Sequence, residues 1–503
     1  MVRLSFLSKC AGVFVGAFML LQIFSACASQ DSARLPGEGR ILGPFDNAGE
    51  AIRAFEQASP GDHIVIKDGT YRDFDGNFGK RNGALDNSIV IRAQTPGGVT
   101  LTGKSRIHIN DSSHVTIQGF IFTDGFYGTG TGNAAILASG DNSSYIRVTD
   151  IFMDNYNSPN PPDDVRWVRL FGQHNEIDNS SFINKTSRGV TVELCRSNGV
   201  SQPNFGRIHH NYFGFSTPVL DDTGREMNGL ETVRIGTSEN SQFDASSVVE
   251  YNFFEELDGE IEIISNKSGS NIYRGNVLYN SNGALALRHG NSCIVENNFF
   301  INAGERARSG MAGVRVMDKN HIIRNNYFEN LNTNRRSAVS LEYAVVNSPL
   351  NRYWPVIDTV IENNTFVNNR MAISTGPTGS ISSDQTIPPE GTAARNNLIV
   401  SNTNDLQITY RADTNAAIAF TNNLAFGQNL RLVGHGNPPA HTAGTPDGIR
   451  IADPQISRNQ SYWYPLYMPA DAFKEFGMQM REDMRMITRE ETGASFAKGG
   501  IVR

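Results

Sequence analysis

Apolar positions along this chain recur in short alternating runs, with no sustained helical period. Segments such as "HVTIQGF" (114–120), "RIHHNYF" (207–213) and "NHIIRNNYF" (320–328) give one apolar face to a strand of a few residues and stop at Asn or Gly. An Asn followed by an aromatic or aliphatic pair marks many of these stops. It stands at Asn211, Asn252, Asn276, Asn298, Asn326, Asn364, Asn397 and Asn423, with some intervals much longer than others. The shorter intervals suit one coil of a solenoid, and the longer ones a coil carrying an inserted loop. Many short strands with a period in the twenties predict an all-β fold, a parallel β-helix. The asparagines are expected to be structural, each amide bonding to the next along the stack.

Ahead of the coils, "DNAGEAIRAFEQASPGDHIVIKDGTY" (46–71) predicts a short amphipathic helix with Asp46 as N-cap, then a strand. That helix would cap the open end of the solenoid, whose strand edges are otherwise exposed. The expected organisation is a targeting segment over 1–27, the β-helix over 40–430, and a C-terminal cover with some helix over 431–503. In the first segment, Arg3 and Lys9 precede the apolar run "AGVFVGAFMLLQIF", and small residues lead to Cys27. "FSAC" resembles a bacterial lipoprotein signal, with Phe24 where Leu is usual, and "ACA" would serve as an ordinary cleavage site. The reading is export across the inner membrane to the periplasm or the outer membrane. Any membrane attachment would come through a lipid on Cys27.

Composition narrows the function. A net charge of -7 over 503 residues leaves no basic excess to displace nucleic-acid counterions, so no nucleic-acid partner is expected. A local basic groove for an anionic substrate remains compatible with it. Cys195 and Cys293, the two cysteines beyond the first segment, cannot staple a chain of this size, so the fold must rest on its core.

The chemistry gathers in the middle. In "DGEIEIISNKSGS" (258–270), Glu260 and Glu262 alternate with Ile261 and Ile263, which predicts two carboxylates on one face, with Lys267 just beyond. Like charges so close repel unless a cation neutralises them. Ca²⁺, a hard cation taking several oxygen ligands, answers that need, and the preceding coil offers Asn228 and Glu231. Alternation would turn Glu231 inward unless the chain bends near Gly229. Arg234, Glu260, Arg288, Arg315 and Glu342 follow one another at nearly equal spacing, one coil apart each, which predicts one stacked wall. Arg234, His289, Arg315 and Glu342 are the candidate substrate contacts. Taken singly, each charge has a plainer reading as a solvated residue of a solenoid wall.

The ordered set "NGLETVRIG" (228–236), "DGEIEIISNKS" (258–268) and "LALRHG" (285–290), with "PGDHIVIKDGTY" (60–71), resembles the alginate lyases and chondroitinase B of polysaccharide lyase family 6. The resemblance covers about residues 40 to 430. It implies a right-handed parallel β-helix and Ca²⁺-dependent β-elimination at an acidic sugar. Residue by residue, it implies Asn228, Glu260 and Glu262 as Ca²⁺ ligands and Glu231 as the added acidic position of the alginate-type enzymes. Lys267 corresponds to the general base and Arg288 to the catalytic arginine. The expected substrate is an anionic polysaccharide, alginate ahead of dermatan sulfate. A β-helix glycoside hydrolase and a non-catalytic carbohydrate-binding solenoid are the alternatives.

Overall fold

The computed structural model describes residues 39–503 except 141, 198–199, 334–336, 377–383, 402–406, 410–417, 428–430, 434–440, 443–447, 466–484 and 498–503. The expected targeting segment and Cys27 lie outside the described residues. Among those described, three parallel sheets of 14, 11 and 14 strands form the body. Each coil gives one strand to each sheet, so partners within a sheet come from successive coils, as in Val248–Glu250, Ile272–Arg274 and Ile294–Glu296. This is the parallel β-helix expected from the repeat.

Two ladders hold the coils in register. Inside, like residues stack on like: the rings of Phe300 and Phe328 lie 4.8 Å apart and those of Phe328 and Phe366 5.0 Å. Those distances are close to the strand spacing of about 4.8 Å, so each coil buries its apolar face against the next. At one corner, Nδ2 of Asn252 donates to Oδ1 of Asn276 at 3.0 Å, Asn276 to Asn298 at 3.0 Å, and Asn298 to Asn326 at 3.0 Å. The series runs from Asn211 to Asn423. These amides are fully buried and satisfy the backbone at the turn.

The capping helix spans Ala48–Glu56 and buries Ala51 and Phe55. Its N-cap is Asn47, not Asp46: the Asn47 side chain accepts from the Glu50 N–H at 2.9 Å. The coils also continue beyond residue 430, since Ile449–Ile451 still pairs with Asn423–Phe426. Ile451 is half exposed there, so the apolar signature fades before the fold does. Among the described residues of 431–503 the expected helix is reduced to a 3-10 turn, Arg489–Glu491. The rest runs back along the outside of one 14-stranded sheet. There Arg458 pairs with Glu329, Arg489 with Glu255, and the Ala494 N–H with Ser181 Oγ.

In the eleven-stranded sheet, Val192, Val233, Ile264, Leu285, Val314 and Val339 form an inward column. The neighbouring outward column is Glu193, Arg234, Ser265, Ala286, Arg315 and Ser340. The near-equal spacing of the wall charges therefore does not translate into a single stack. Arg234 and Arg315 share a column. Arg288 and Glu342 lie two residues further along their strands or just past them, and Glu260 precedes its strand. Register follows the inward residues and the bulges between them, not the count of residues per coil.

Candidate active site

The bend anticipated at Gly229 is present. Its φ of +99° is a left-handed conformation suited to glycine, and it turns the chain before the strand Val233–Gly236. Glu231 thus escapes the strand's alternation and reaches the outer wall while staying 2% exposed. On the next coil, Glu260 and Ile261 precede the strand Glu262–Lys267, and a bulge separates Glu262 from Ile264. Ile261 is accordingly exposed, contrary to the simple alternation, while Ile263 and Ile264 are both buried. One coil further, a Cβ on Gly283 would stand 2.8 Å from the Glu260 carbonyl oxygen, so only glycine lets these chains approach.

The outcome is a carboxylate cluster. Oxygens of Glu231, Glu260 and Glu262 all lie within 4.8 Å of one another. Glu260 Oε2 accepts from the N–H groups of Gly229 and Leu230 at 2.7 and 2.8 Å. Asn228 is exposed on the bend, immediately before Gly229. Glu231 Oε2 is buried with no hydrogen-bond partner. Burial, and then the charges of Glu231 and Glu262, push the Glu260 carboxyl well above the usual carboxylate range. An orphaned buried oxygen and a like-charge repulsion at one point are both relieved by a divalent cation, so the residues fit one.

Positive groups ring the cluster. Lys267 Nζ lies 3.3 Å from Glu231 Oε1, at the end of its strand, and its side chain is 18% exposed. Nε of Arg288 and a terminal nitrogen of Arg315 each lie 3.4 Å from Glu262 Oε1, whose other oxygen accepts from Ser265 Oγ at 2.6 Å. Arg234 turns away to Glu193 and stands 3.6 Å from Glu231.

Three candidate substrate contacts sit deeper than the sequence suggested. Arg315 and Glu342 bond each other at 2.7 Å and are buried, so they brace Glu262. His289 is 1% exposed, with Nε2 3.0 Å from the Arg352 carbonyl oxygen and Nδ1 3.3 Å from Ser238 Oγ. Burial first, then Arg288 and Lys267, hold its pKa down at about 3, so it is neutral near pH 7.

Two participants escaped the sequence reading. Glu193 is fully buried and bonds Arg166, Arg169 and Arg234 at 3.0, 2.7 and 2.5 Å. Burial opposes its charge, but the three guanidiniums outweigh that and hold its pKa at about 2. The alternation of "VTVELC" carries it, but one of the longer coils separates Glu193 from Arg234 and breaks the period. Tyr353 arrives from a loop after Ala344–Val345, and Cζ of Arg288 lies 4.7 Å from its ring centre. The adjacent aspartates of "PDD" (Asp163, Asp164) and "DD" (Asp221, Asp222) are those a hydrolase reading would call on; Asp163 bonds Ser158 and Asn160, Asp164 bonds Arg166, and Asp221 bonds within its own turn.

The fold and this wall of alternating charges define a parallel β-helix built like a polysaccharide lyase. The chondroitinase B family model matches residues 45–440, and the chain belongs to that family, polysaccharide lyase family 6. It is similar to the family 6 alginate lyase AlyGC, at 33% identity and a TM-score of 0.76, over 90% of this chain but only 58% of that one. It is similar too to a mannuronic acid specific family 6 lyase from human gut microbiota. There the identity is 29% and the TM-score 0.65, over 77% of this chain and 86% of that one. A family 6 alginate lyase in complex with a trisaccharide shares the fold, with a TM-score of 0.67 at 20% identity over 90% and 97% of the two chains. No curated protein matches the sequence.

Proposed function

We propose that this protein is a Ca²⁺-dependent lyase that cleaves an acidic polysaccharide, alginate first, by β-elimination. The observation that carries the reading is the meeting of Lys267 with the carboxylate cluster through Glu231, beside Arg288. In a 4-linked uronate the proton on C5 lies next to a carboxylate. Removing it concentrates negative charge on that group. Glu231, Glu260, Glu262 and Asn228 would hold a divalent cation, which when bound would supply positive charge to the sugar carboxylate. Lys267 Nζ accepts the C5 proton. The C5–H electron pair becomes the C4=C5 double bond, the C4–O4 bond breaks, and O4 takes a proton to become a hydroxyl. Arg288 offers its guanidinium to the carboxylate as charge builds and orients a water that gives its proton to O4, because guanidinium itself keeps its protons.

Alginate is favoured over dermatan sulfate by Glu231, the acidic position of the alginate-type enzymes, and by the alginate lyases among the similar structures. The test is incubation with mannuronate-rich and guluronate-rich alginate and with dermatan sulfate, following the ultraviolet absorbance of the unsaturated product. Absorbance from dermatan sulfate alone would reassign the substrate. Chain shortening without absorbance would mean hydrolysis. We also propose export with lipidation at Cys27, tested by fatty-acid labelling of the wild type and of Cys27→Ser.

A further inference from the structure

The loop between Ala344–Val345 and Val360–Glu362 reaches across the coils to the wall that carries Arg288. It is fixed at its base. Ala344–Val345 pairs antiparallel with Gln385–Ile387, the Val345 N–H donates to the Tyr353 carbonyl at 3.0 Å, and Arg352 pairs with Asp384 at 2.8 Å. From that base the loop offers Arg288 three contacts. The carbonyls of Arg352 and Asn351 accept from its terminal nitrogens at 3.1 and 3.3 Å, and its Cζ lies 4.7 Å from the Tyr353 ring centre. The same ring has Cζ of Arg315 at 5.5 Å, and the Tyr353 hydroxyl oxygen accepts from Arg315 at 3.0 Å.

Both guanidiniums also converge on Glu262 Oε1, each at 3.4 Å. Two like charges sharing one carboxylate oxygen would drive each other apart. An aromatic ring within about 6 Å of both cations attracts each by its quadrupole and leaves each charge in place. A carboxylate in that position would instead neutralise the charge Arg288 brings to the substrate. The ring is thus suited to aim Arg288 without quenching it.

We propose that Tyr353 is a positioning residue whose ring holds the Arg288 guanidinium at the edge of the carboxylate cluster. Its hydroxyl tethers Arg315 beneath. The inference rests on the role of Arg288 given under the proposed function, and it names a residue outside the three family motifs.

The test compares Tyr353→Phe and Tyr353→Leu with the wild type, after melting temperature and Ca²⁺ titration show both variants folded and loaded. Tyr353→Phe keeps the ring and should keep kcat within about threefold. Tyr353→Leu loses it and should lower kcat by up to about 10²-fold, the order of loss when a reacting group is misplaced by an ångström, with KM nearly unchanged. Arginine side-chain NMR supplies a reading independent of turnover. Rotation of the Arg288 guanidinium should be equally restricted in the wild type and Tyr353→Phe, and faster in Tyr353→Leu, where the carbonyls of Asn351 and Arg352 and the Glu262 carboxylate remain but the ring is gone. Wild-type kcat in Tyr353→Leu overturns the proposal, as does a fall in Tyr353→Phe equal to that in Tyr353→Leu, which would transfer the role to the hydroxyl. If the wild type yields no unsaturated product, or Arg288→Ala keeps full turnover, the proposed function fails instead. The NMR comparison then still decides whether the ring holds Arg288.

Discussion

Glu262 and Arg315 meet at 3.4 Å on the floor of the site, and Arg315 is in turn locked to Glu342 at 2.7 Å. A candidate metal ligand is thus held by a buried cation that is itself held by a buried anion. Such a chain costs desolvation to build, and its loss leaves unpaired charge behind.

Arg315→Ala is therefore expected to act first on stability. Glu342 would remain buried without its partner, a loss of about 3–5 kcal/mol for a broken buried pair. Denaturant unfolding measures it. A stability change below about 1 kcal/mol accompanied by a large rise in KM would return Arg315 to the role of a direct substrate contact.

Glu231 Oε2 is the orphan of the carboxylate cluster, so the metal should be needed for both activity and stability. Chelation should abolish turnover and added Ca²⁺ restore it. Saturation at 100 times the dissociation constant should stabilise the fold by about 2.7 kcal/mol. Glu231→Gln should weaken Ca²⁺ binding in a calorimetric titration. Full turnover in a protein stripped of metal would remove the cation from the reaction.

The asparagine ladder is legible in the sequence because each coil from Asn211 to Asn423 repeats the same signal, and the carboxylate pair because two like charges so close demand a reason. The order of the charges on the wall is not. Equal spacing of Arg234, Glu260 and Arg288 suggested one stack, but a bulge at Glu262 and the bend at Gly229 shift the register locally. Glu193 lay behind a long coil, and Tyr353 sits on an inserted loop with no periodicity to place it. Contacts made through insertions leave no spacing in the sequence.

Asn276 tests the ladder. Its Oδ1 accepts from both the backbone N–H and the Nδ2 of Asn252, at 3.1 and 3.0 Å. Asn276→Ala strands the buried Asn252 N–H, at about 1–3 kcal/mol, while Asn252 Nδ2 keeps the carbonyls of Ile208 and Glu250. The variant should melt earlier yet keep wild-type kcat at a temperature where it is folded. Unchanged melting would make the ladder ornamental.

His289 gives the pH dependence its sign. Its folded pKa of about 3 lies below the unfolded value of about 6.5, so the unfolded chain binds the extra proton in between. The stability linked to His289 is full above pH 6.5 and is lost as pH falls toward 3. From pH 6.5, where the unfolded histidine is already half protonated, to pH 4.5 this amounts to about 2.3 kcal/mol. His289→Gln should flatten that slope by about this amount. His321, also buried and held at about 4, acts in both proteins and cancels in the difference. An identical slope in the two proteins would mean that His289 is protonated in the fold.

Lys267 is the decisive position. Its amine touches the cluster only at Glu231, at 3.3 Å, and its side chain stays partly open to the groove. Lys267→Ala should leave the core intact and remove nearly all turnover, since losing a general base costs about 10²–10⁴-fold. Lys267→Arg separates charge from basicity. A guanidinium keeps the contact with Glu231 but cannot take a proton at working pH, so it should rescue little. Ca²⁺ affinity measured alongside shows whether either variant has disturbed the ligands. If Lys267→Arg retains most of the wild-type kcat, the lysine is a charge contact and another group takes the C5 proton. His289 is then the next residue to replace, although its two ring nitrogens lie within hydrogen-bonding distance of Arg352 and Ser238.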